Sequence, residues 1–90
     1  MKSFSKKVAV ITGAGSGMGR YLAVLLAKAG ANVAICEINP TTLAETEAML
    51  KDYAVKVTSH IVDVADKAAI DALPAQVIEL HGHVDMVFNN

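Results

Sequence analysis

Four of the chain's six glycines fall within the seven positions from 13 to 19. A glycine backbone can approach a ligand closely, and the free N–H groups at the start of a helix favour a negatively charged group. The apolar run Val8–Ile11 comes directly before these glycines, and residues 20–29 have the amphipathic pattern of a helix. A strand, a glycine turn and a helix in this order predict a binding site for a phosphate-bearing ligand.

The spacing of these glycines distinguishes between kinds of nucleotide loop. A P-loop needs Gly-x4-Gly-Lys-Ser/Thr, and Met18 stands where its second glycine would be. The common dinucleotide spacing Gly-x-Gly-x-x-Gly, counted from Gly13, fails at the same methionine. The pattern that fits is Thr-Gly-x3-Gly-x-Gly, carried by Thr12, Gly13, Gly17 and Gly19. This pattern resembles the nucleotide loop of the short-chain dehydrogenase/reductase family.

The resemblance implies that this loop contacts a dinucleotide cofactor. The cofactor-binding residues expected in the loop are Gly13, Gly15, Ser16, Gly17, Met18 and Gly19. Arg20, directly after the last of these glycines, is expected on the surface of the following helix, at a place from which it can approach the pyrophosphate, and is left outside the site.

An acidic residue, Glu37, ends the next predicted strand, 24 positions after Gly13. A carboxylate at this place accepts hydrogen bonds from the ribose hydroxyls of adenosine and repels a 2′-phosphate. In the family that the chain resembles, NADP-binding members usually carry a basic residue before the middle glycine or just after the second strand. This chain has Ser16 and Ile38 at those places. We therefore expect NAD as the cofactor rather than NADP.

Two further pairs of residues follow the third and fourth predicted strands. The resemblance assigns Asp63 to the adenine amino group and the backbone N–H of Val64 to the adenine ring. Asn89 and Asn90 match the start of the family's Asn-Asn-Ala-Gly signature, which lies beside the adenosine ribose and braces the central strand. We expect all four residues in the cofactor site.

No catalytic residues are predicted within this sequence. The family that it resembles uses a tyrosine, a lysine four positions later and an upstream serine, and the lysine lowers the pKa of the phenol that exchanges the substrate's proton. Here Tyr21 is followed four positions later by Leu25, and Tyr53 by Val57. The three histidines have no metal-ligand spacing. We expect neither a catalytic nor a metal site, and no activity from the 90 residues alone.

The elements that position these residues alternate between strand and helix patterns. The predicted strands cover residues 8–12, 32–37, 55–62 and 84–88, and the predicted helices cover residues 17–29, 40–52 and 67–81. Such alternation predicts an α/β, Rossmann-type doubly wound parallel sheet with right-handed crossovers and strand order 3-2-1-4. Residues 1–90 would then be the N-terminal part of a dinucleotide-binding domain, without its catalytic and substrate-binding part.

Local signals refine the helices. Asn39 and Asp66 are predicted N-caps, and Pro74 predicts a kink or a break in the third helix near residues 72–73. The predicted helix stripes are Leu22, Leu25, Leu26 and Ala29 in the first helix, and Leu43, Glu47 and Leu50 in the second.

The composition is that of a globular chain, with 53% hydrophobic and 19% charged residues. A net charge of −1 and the lack of like-charge runs argue against nucleic acid or an anionic membrane as a partner. The single cysteine, Cys36, lies in an apolar strand pattern and is expected to be buried rather than reactive. With no signal-peptide pattern recognised, we expect a cytoplasmic protein.

The resemblance implies an NAD-dependent oxidoreductase that transfers hydride between NAD and an alcohol or carbonyl substrate, and a homo-oligomer when complete. A non-catalytic dinucleotide-sensing or scaffold module is the alternative, because it would carry the same loop. A methyl-donor-binding fold also uses a glycine loop and an acidic strand end. It does not predict Thr-Gly-x3-Gly-x-Gly or the Asp63-Val64 pair.

Overall fold

A four-stranded parallel sheet with three helices makes up the structure, a computed structural model that describes residues 4–90. In chain order the elements are β1 (Val8–Ile11), α1 (Gly17–Lys28), β2 (Asn32–Glu37), α2 (Pro40–Leu50), β3 (Val57–Ile61), α3 (Lys67–His81) and β4 (Met86–Phe88). The strand order is β3-β2-β1-β4, and all three pairs are parallel. The predicted fold class and strand order are confirmed. The predicted β3 and β4 begin too early, because pairing starts two residues later in each.

Apolar side chains alternate between the two faces of the sheet, as the strand pleat requires. Ala9 and Ile11 of β1 face α1 and α2, whereas Val8 and Val10 face α3. The other strands follow the same rule, and Cys36 lies on the α3 face. Because helices cover both faces, β1 is fully buried and can place the segment that follows it accurately.

The buried face of α1 differs from its predicted stripe. The buried residues are Gly19, Ala23, Leu26 and Ala27, whereas Leu25 is 43% exposed. Gly19, Ala23 and Ala27 lie one helical turn apart and let the helix axis approach the sheet. Leu26 packs beside them, whereas Leu25 points away from the core. The prediction that Leu25 belongs to the core was wrong for this reason.

The buried face of α2 also needs a correction. Its buried residues are Leu43, Thr46 and Leu50, so Thr46 rather than Glu47 completes the stripe. Glu47 is half-buried at the side of the helix, where its carboxylate accepts a hydrogen bond from the Ser59 hydroxyl over 2.6 Å. A threonine on an apolar stripe brings a hydroxyl into the core, and that hydroxyl needs a partner.

The two predicted N-caps are confirmed by their contacts, whereas α1 and α2 end at Lys28 and Leu50, slightly earlier than predicted. The Asn39 side chain accepts hydrogen bonds from two backbone N–H groups in the first turn of α2. Asp66 caps α3 in the same way, through the N–H of Ala69. Each cap fixes the residue at which its helix begins. Both helices begin near the carboxyl ends of the strands, where the predicted site residues also lie.

The third helix is continuous through Pro74, so the predicted break does not occur. Proline lacks the N–H that would bond to the carbonyl one turn earlier. Leu73 and Val77, on either side of it, are buried against the sheet and hold both halves of α3 in place. Among residues 4–90, no helix is long and apolar enough to cross a membrane.

Candidate functional site

All predicted site segments lie at the same end of the sheet, the end at which the carboxyl termini of the four parallel strands stand side by side. The glycine segment follows β1, Glu37 ends β2, Asp63 follows β3 and Asn90 follows β4. Strand order reverses between β1 and β4, because α1 leads to one side of β1 and β4 returns on the other. In open α/β sheets, ligands bind in the crevice at such a reversal point.

The backbone after β1 turns sharply before α1 begins. Gly13 and Gly17 have φ angles of 64° and 58°, a left-handed conformation that favours glycine. A Cβ atom added to Gly17 would meet nothing within 4 Å, so this part of the turn faces open space. A Cβ atom added to Gly19 would lie only 2.7 Å from the carbonyl carbon of Gly13. The first turn of α1 therefore packs directly on the glycine turn.

The Glu37 carboxylate is held by backbone N–H groups from two segments. Its Oε1 atom accepts from Gly15 N at 2.9 Å, and its Oε2 atom accepts from Ile38 N and Asn39 N at 3.2 and 3.3 Å. A Cβ atom on Gly15 would lie 2.6 Å from Glu37 Cγ, so only glycine permits this approach. These bonds place a fixed negative charge beside the glycine turn.

A small cavity of about 90 Å³ brings together residues from all four strand ends. Its lining residues are Gly13, Glu37, Ile38, Val62, Asp63, Val64 and Asn90. Ile38 and Val64 are apolar and yet more than half exposed, and the Asp63 Oδ1 atom accepts from the N–H of Ala65 over 2.9 Å. Apolar walls beside carboxylate oxygens suit a flat base attached to a hydroxyl-bearing sugar. The residues present therefore fit an adenosine group.

The two C-terminal asparagines lie on different sides of β4. Asn90 donates from its backbone N to Thr12 Oγ1 over 3.2 Å and from Nδ2 to Thr12 O over 3.3 Å, and it lines the small cavity. Asn89 instead lines a second, apolar cavity of about 190 Å³ between α3 and β4. The structure thus brings Asn90, but not Asn89, to the glycine turn.

The remaining predicted residues of the loop are exposed at the start of α1. Ser16 occupies the N-cap position with extended φ, and its side chain makes no capping hydrogen bond. Met18 is 70% exposed. The first turn of α1 also carries no acidic residue, so the positive end of the helix dipole faces this region without a protein carboxylate on its own turn. This end of α1 suits a bound anion.

Comparison with known proteins identifies the family. A family model described as short chain dehydrogenase matches residues 7–90. The chain belongs to the short-chain dehydrogenase family. A short-chain dehydrogenase/reductase of Aspergillus oryzae, astE, is 42% identical over 89 residues, which are 98% of this chain and 34% of that protein. The chain spans about a third of the length of the curated relatives that it matches.

Two solved structures of dehydrogenases share the fold. The crystal structure of NAD⁺-bound xylitol dehydrogenase is similar with a TM-score of 0.95 at 32% identity, covering 99% of this chain and 34% of that one. Carveol dehydrogenase from Mycobacterium avium in complex with NAD gives a TM-score of 0.90 at 31% identity, covering 97% of this chain and 36% of that one. Both comparisons support the predicted Rossmann fold.

Arg20 makes more contacts with the glycine turn than its place in the sequence indicates. Arg20 was expected on the helix surface, but its guanidinium group reaches across to α2. Nε donates to Thr46 Oγ1 over 2.9 Å, and Nη2 donates to Gly15 O, to Thr42 O and to Glu45 Oε1. The available signal was Thr46 itself, a polar residue three positions after Leu43 on the buried stripe.

Three titratable groups, Cys36, His60 and His81, lie on the α3 side of the sheet, away from the glycine turn. Burial raises the pKa of the Cys36 thiol to about 12, so it stays protonated and unreactive. The Thr58 hydroxyl contacts Nε2 of both His60 and His81, at 2.9 and 2.8 Å, on the α3 face of β3. Among residues 4–90, no three His, Cys, Asp or Glu side chains are grouped so that they could hold a metal ion.

Proposed function

We propose that residues 1–90 form the NAD-binding part of a short-chain dehydrogenase that transfers hydride between NAD and an alcohol or carbonyl substrate. The observation that carries this proposal is the Glu37 carboxylate, fixed by Gly15 beside a cavity that four strand ends share. NAD, when bound, supplies the group that accepts or donates the hydride. The chain's own residues bind and orient it.

The pyrophosphate is assigned to the start of α1. The uncapped first turn and the open space beside Gly17 support this assignment, because backbone N–H groups at a helix N-terminus hold anions. Ser16 and Met18 are exposed at the same place. Gly13 and Gly19 contribute through the shape of the turn, since their close packing sets the direction in which α1 points away from β1.

Adenosine is assigned to the small cavity. Glu37 would accept the ribose hydroxyls, Asp63 would bond to the adenine amino group, and Val64 would meet the ring. Asn90 lines the same cavity and braces the turn through Thr12. Asn89 is proposed on the family resemblance alone, because it lines the neighbouring apolar cavity.

The preference for NAD over NADP is proposed from charge. The Glu37 carboxylate would repel a 2′-phosphate, and the residue after it, Ile38, is an exposed apolar side chain rather than a basic one. Ser16 stands at the other place where a basic residue would favour NADP. No charge in the cavity lining opposes this preference, since its other ionisable member is Asp63.

The same proposal extends to the longer protein. We propose that its substrate is a small alcohol or carbonyl compound, that it assembles as a homo-oligomer and that it works in the cytoplasm. Support comes from family membership.

Calorimetric titration of the 90-residue chain with NAD and NADP tests the proposed function. We expect NAD to bind, and NADP to bind at least about tenfold more weakly, the effect of one unfavourable charge contact. Glu37→Gln should reduce this difference, whereas Glu45→Gln, an exposed carboxylate on α2, should leave it unchanged. Binding of neither cofactor would contradict the function, and tighter binding of NADP would contradict the assigned preference.

A further inference from the structure

We propose that Arg20 and Thr46 are positioning residues for cofactor selection, because they orient the peptide group that holds the Glu37 carboxylate. Neither residue lines the small cavity. The inference rests on the proposed NAD function, and it assigns to α2 a part in choosing between NAD and NADP.

A continuous series of hydrogen bonds joins Arg20 to Glu37. Arg20 Nε donates to Thr46 Oγ1 over 2.9 Å, and Thr46 Oγ1 donates to Ala14 O over 2.8 Å. The carbonyl of Ala14 and the N–H of Gly15 belong to one planar peptide group, and Gly15 N donates to Glu37 Oε1 over 2.9 Å. Rotation of that one peptide group would break its bond to Thr46 and its bond to Glu37 together.

Arg20 also holds the next peptide group of the turn. Its Nη2 atom donates to Gly15 O over 2.5 Å and to Thr42 O over 3.2 Å. Two nitrogens of one planar guanidinium group therefore contact both the turn and α2, a geometry that a lysine ammonium cannot reproduce. Arginine fixes the peptide groups on both sides of Gly15.

The hydrogen bonds of the Thr46 hydroxyl contribute to stability because they are buried. Thr46 is fully buried, and its hydroxyl both accepts from Arg20 and donates to Ala14. Removal of that hydroxyl would leave the buried Ala14 carbonyl without its side-chain partner, which a protein avoids by local rearrangement. The ion pair between Arg20 and Glu45 is different, because the Glu45 side chain is 57% exposed. Such an exposed pair contributes little.

The effect on selection can be separated from an effect on stability. A change that only loosens the fold lowers the binding-competent fraction, and it weakens NAD and NADP by the same factor. A change that frees the Gly15 peptide removes the hydrogen bond on Glu37 Oε1 and leaves only the bonds from Ile38 N and Asn39 N on Oε2. The carboxylate can then turn away from the 2′ position. Such a change therefore weakens NAD more than NADP. The ratio of the two dissociation constants distinguishes these cases.

The test compares matched variants of the 90-residue chain, titrated with NAD and NADP. Thr46→Val removes the hydroxyl at nearly constant volume, and Thr46→Ser keeps it. Arg20→Met removes the guanidinium group, and Glu45→Gln removes only the exposed partner. We expect Thr46→Val and Arg20→Met to reduce the NADP-to-NAD ratio of dissociation constants by about tenfold, the effect of one hydrogen bond to a charged group. Thr46→Ser and Glu45→Gln should keep the wild-type ratio.

The ratio of dissociation constants distinguishes a positioning role of Arg20 and Thr46 from a purely structural one. An unchanged ratio in both Thr46→Val and Arg20→Met, with weaker binding of both cofactors, would overturn the inference and leave a purely structural role. A ratio that rises in Arg20→Met would also overturn it, because Arg20 would then contact the 2′-phosphate directly. If circular dichroism shows that Thr46→Val is unfolded, Arg20→Met decides. A wild-type chain that binds neither cofactor would overturn the proposed function, and this inference with it.

Discussion

The N–H of Gly15 donates to the Glu37 carboxylate across 22 positions of sequence, over 2.9 Å. This contact exists because β1 and β2 are parallel neighbours, so the turn after β1 lies beside the last residue of β2. It also requires a residue without a side chain at position 15. The contact links the glycine turn to the acidic strand end, two features that the sequence shows separately.

Exchange of charge at the end of β2 should change cofactor preference. Glu37→Ala combined with Ile38→Arg removes the repulsion of a 2′-phosphate and adds a partner for it. We expect the preference to move toward NADP by about two orders of magnitude, as one charge pair is removed and another added. Titration of the 90-residue chain with both cofactors measures the shift. An unchanged ratio would show that Glu37 does not face the adenosine ribose.

Alanine at three loop glycines should give three different results. Gly19→Ala should destabilise the fold most, by about 3 kcal/mol, because its Cβ would overlap the Gly13 carbonyl. Gly17→Ala should cost about 1 kcal/mol, since only its left-handed φ is unfavourable. Gly15→Ala should lower NAD affinity by displacing Glu37, and it should also cost stability, because the new Cβ would overlap Thr42 Oγ1 on α2.

Chemical denaturation and NAD titration of the three glycine variants measure these effects. Gly82→Ala is the matched control, because Gly82 also has positive φ and open space but ends α3 far from the glycine turn along the chain. It should lower stability about as much as Gly17→Ala and leave NAD affinity unchanged. Equal losses of stability at positions 17 and 19 would contradict the packing described for the turn.

The elements of the fold were predictable because their signals are local. Apolar runs bounded by glycine, and caps such as Asn39 and Asp66, act within a few residues, and the parallel order follows from alternation of strand and helix. The residues missed by prediction depend on distances between elements. The contact between Arg20 and Thr46 spans 26 positions and depends on how closely α1 and α2 pack.

The two asparagines show a second reason why the site could not be fully predicted from the sequence. Asn89 and Asn90 were grouped because they are adjacent in a signature, but adjacent residues of an extended segment point to opposite faces. One therefore lines the apolar cavity and the other the small cavity beside the glycine turn. The side chains of β1 alternate between the two faces of the sheet in the same way. The same alternation, continued past β4, would have predicted that Asn89 and Asn90 point in opposite directions.

Stability should fall as the pH is lowered below about 6.5. Burial lowers the pKa of His60, and burial together with Lys56, His60 and His83 lowers the pKa of His81. In the unfolded chain these histidines take up protons near their ordinary pKa, before the folded chain does. The unfolded state thus binds more protons in this range, and the free energy of unfolding decreases with falling pH.

Thermal melts of the chain between pH 7.5 and 5.5 measure this pH dependence. His81→Gln should reduce the fall in melting temperature, because its titration is removed. Lys67→Gln, an exposed change at the other end of α3, is the control and should behave as wild type. A melting temperature that rises toward pH 5.5 would contradict the assigned direction.

The 90-residue chain should associate through β4. This strand pairs with β1 on one side only, and Val87 is 58% exposed. An apolar strand with unpaired backbone groups recruits another chain. Val87→Lys should therefore reduce association. Ile61→Lys in β3, the other edge strand, should not, because β3 carries the polar residues Thr58, Ser59 and His60 whereas β4 is wholly apolar. Sedimentation at micromolar concentration measures this, and a monomeric wild-type chain with a sharp melting transition would show the edge to be harmless.

Amide chemical-shift mapping during NAD titration of the 90-residue chain tests the central claim most directly. Bound NAD should shift the amide signals of the glycine turn at residues 13–19, and those of Glu37, Ile38, Val64 and Asn90. Signals of His60 and Gln76, which line a separate cavity on the α3 face, should stay unchanged. Shifts confined to that cavity, or no saturable shifts at the glycine turn, would contradict the assignment of NAD to the carboxyl edge of the sheet.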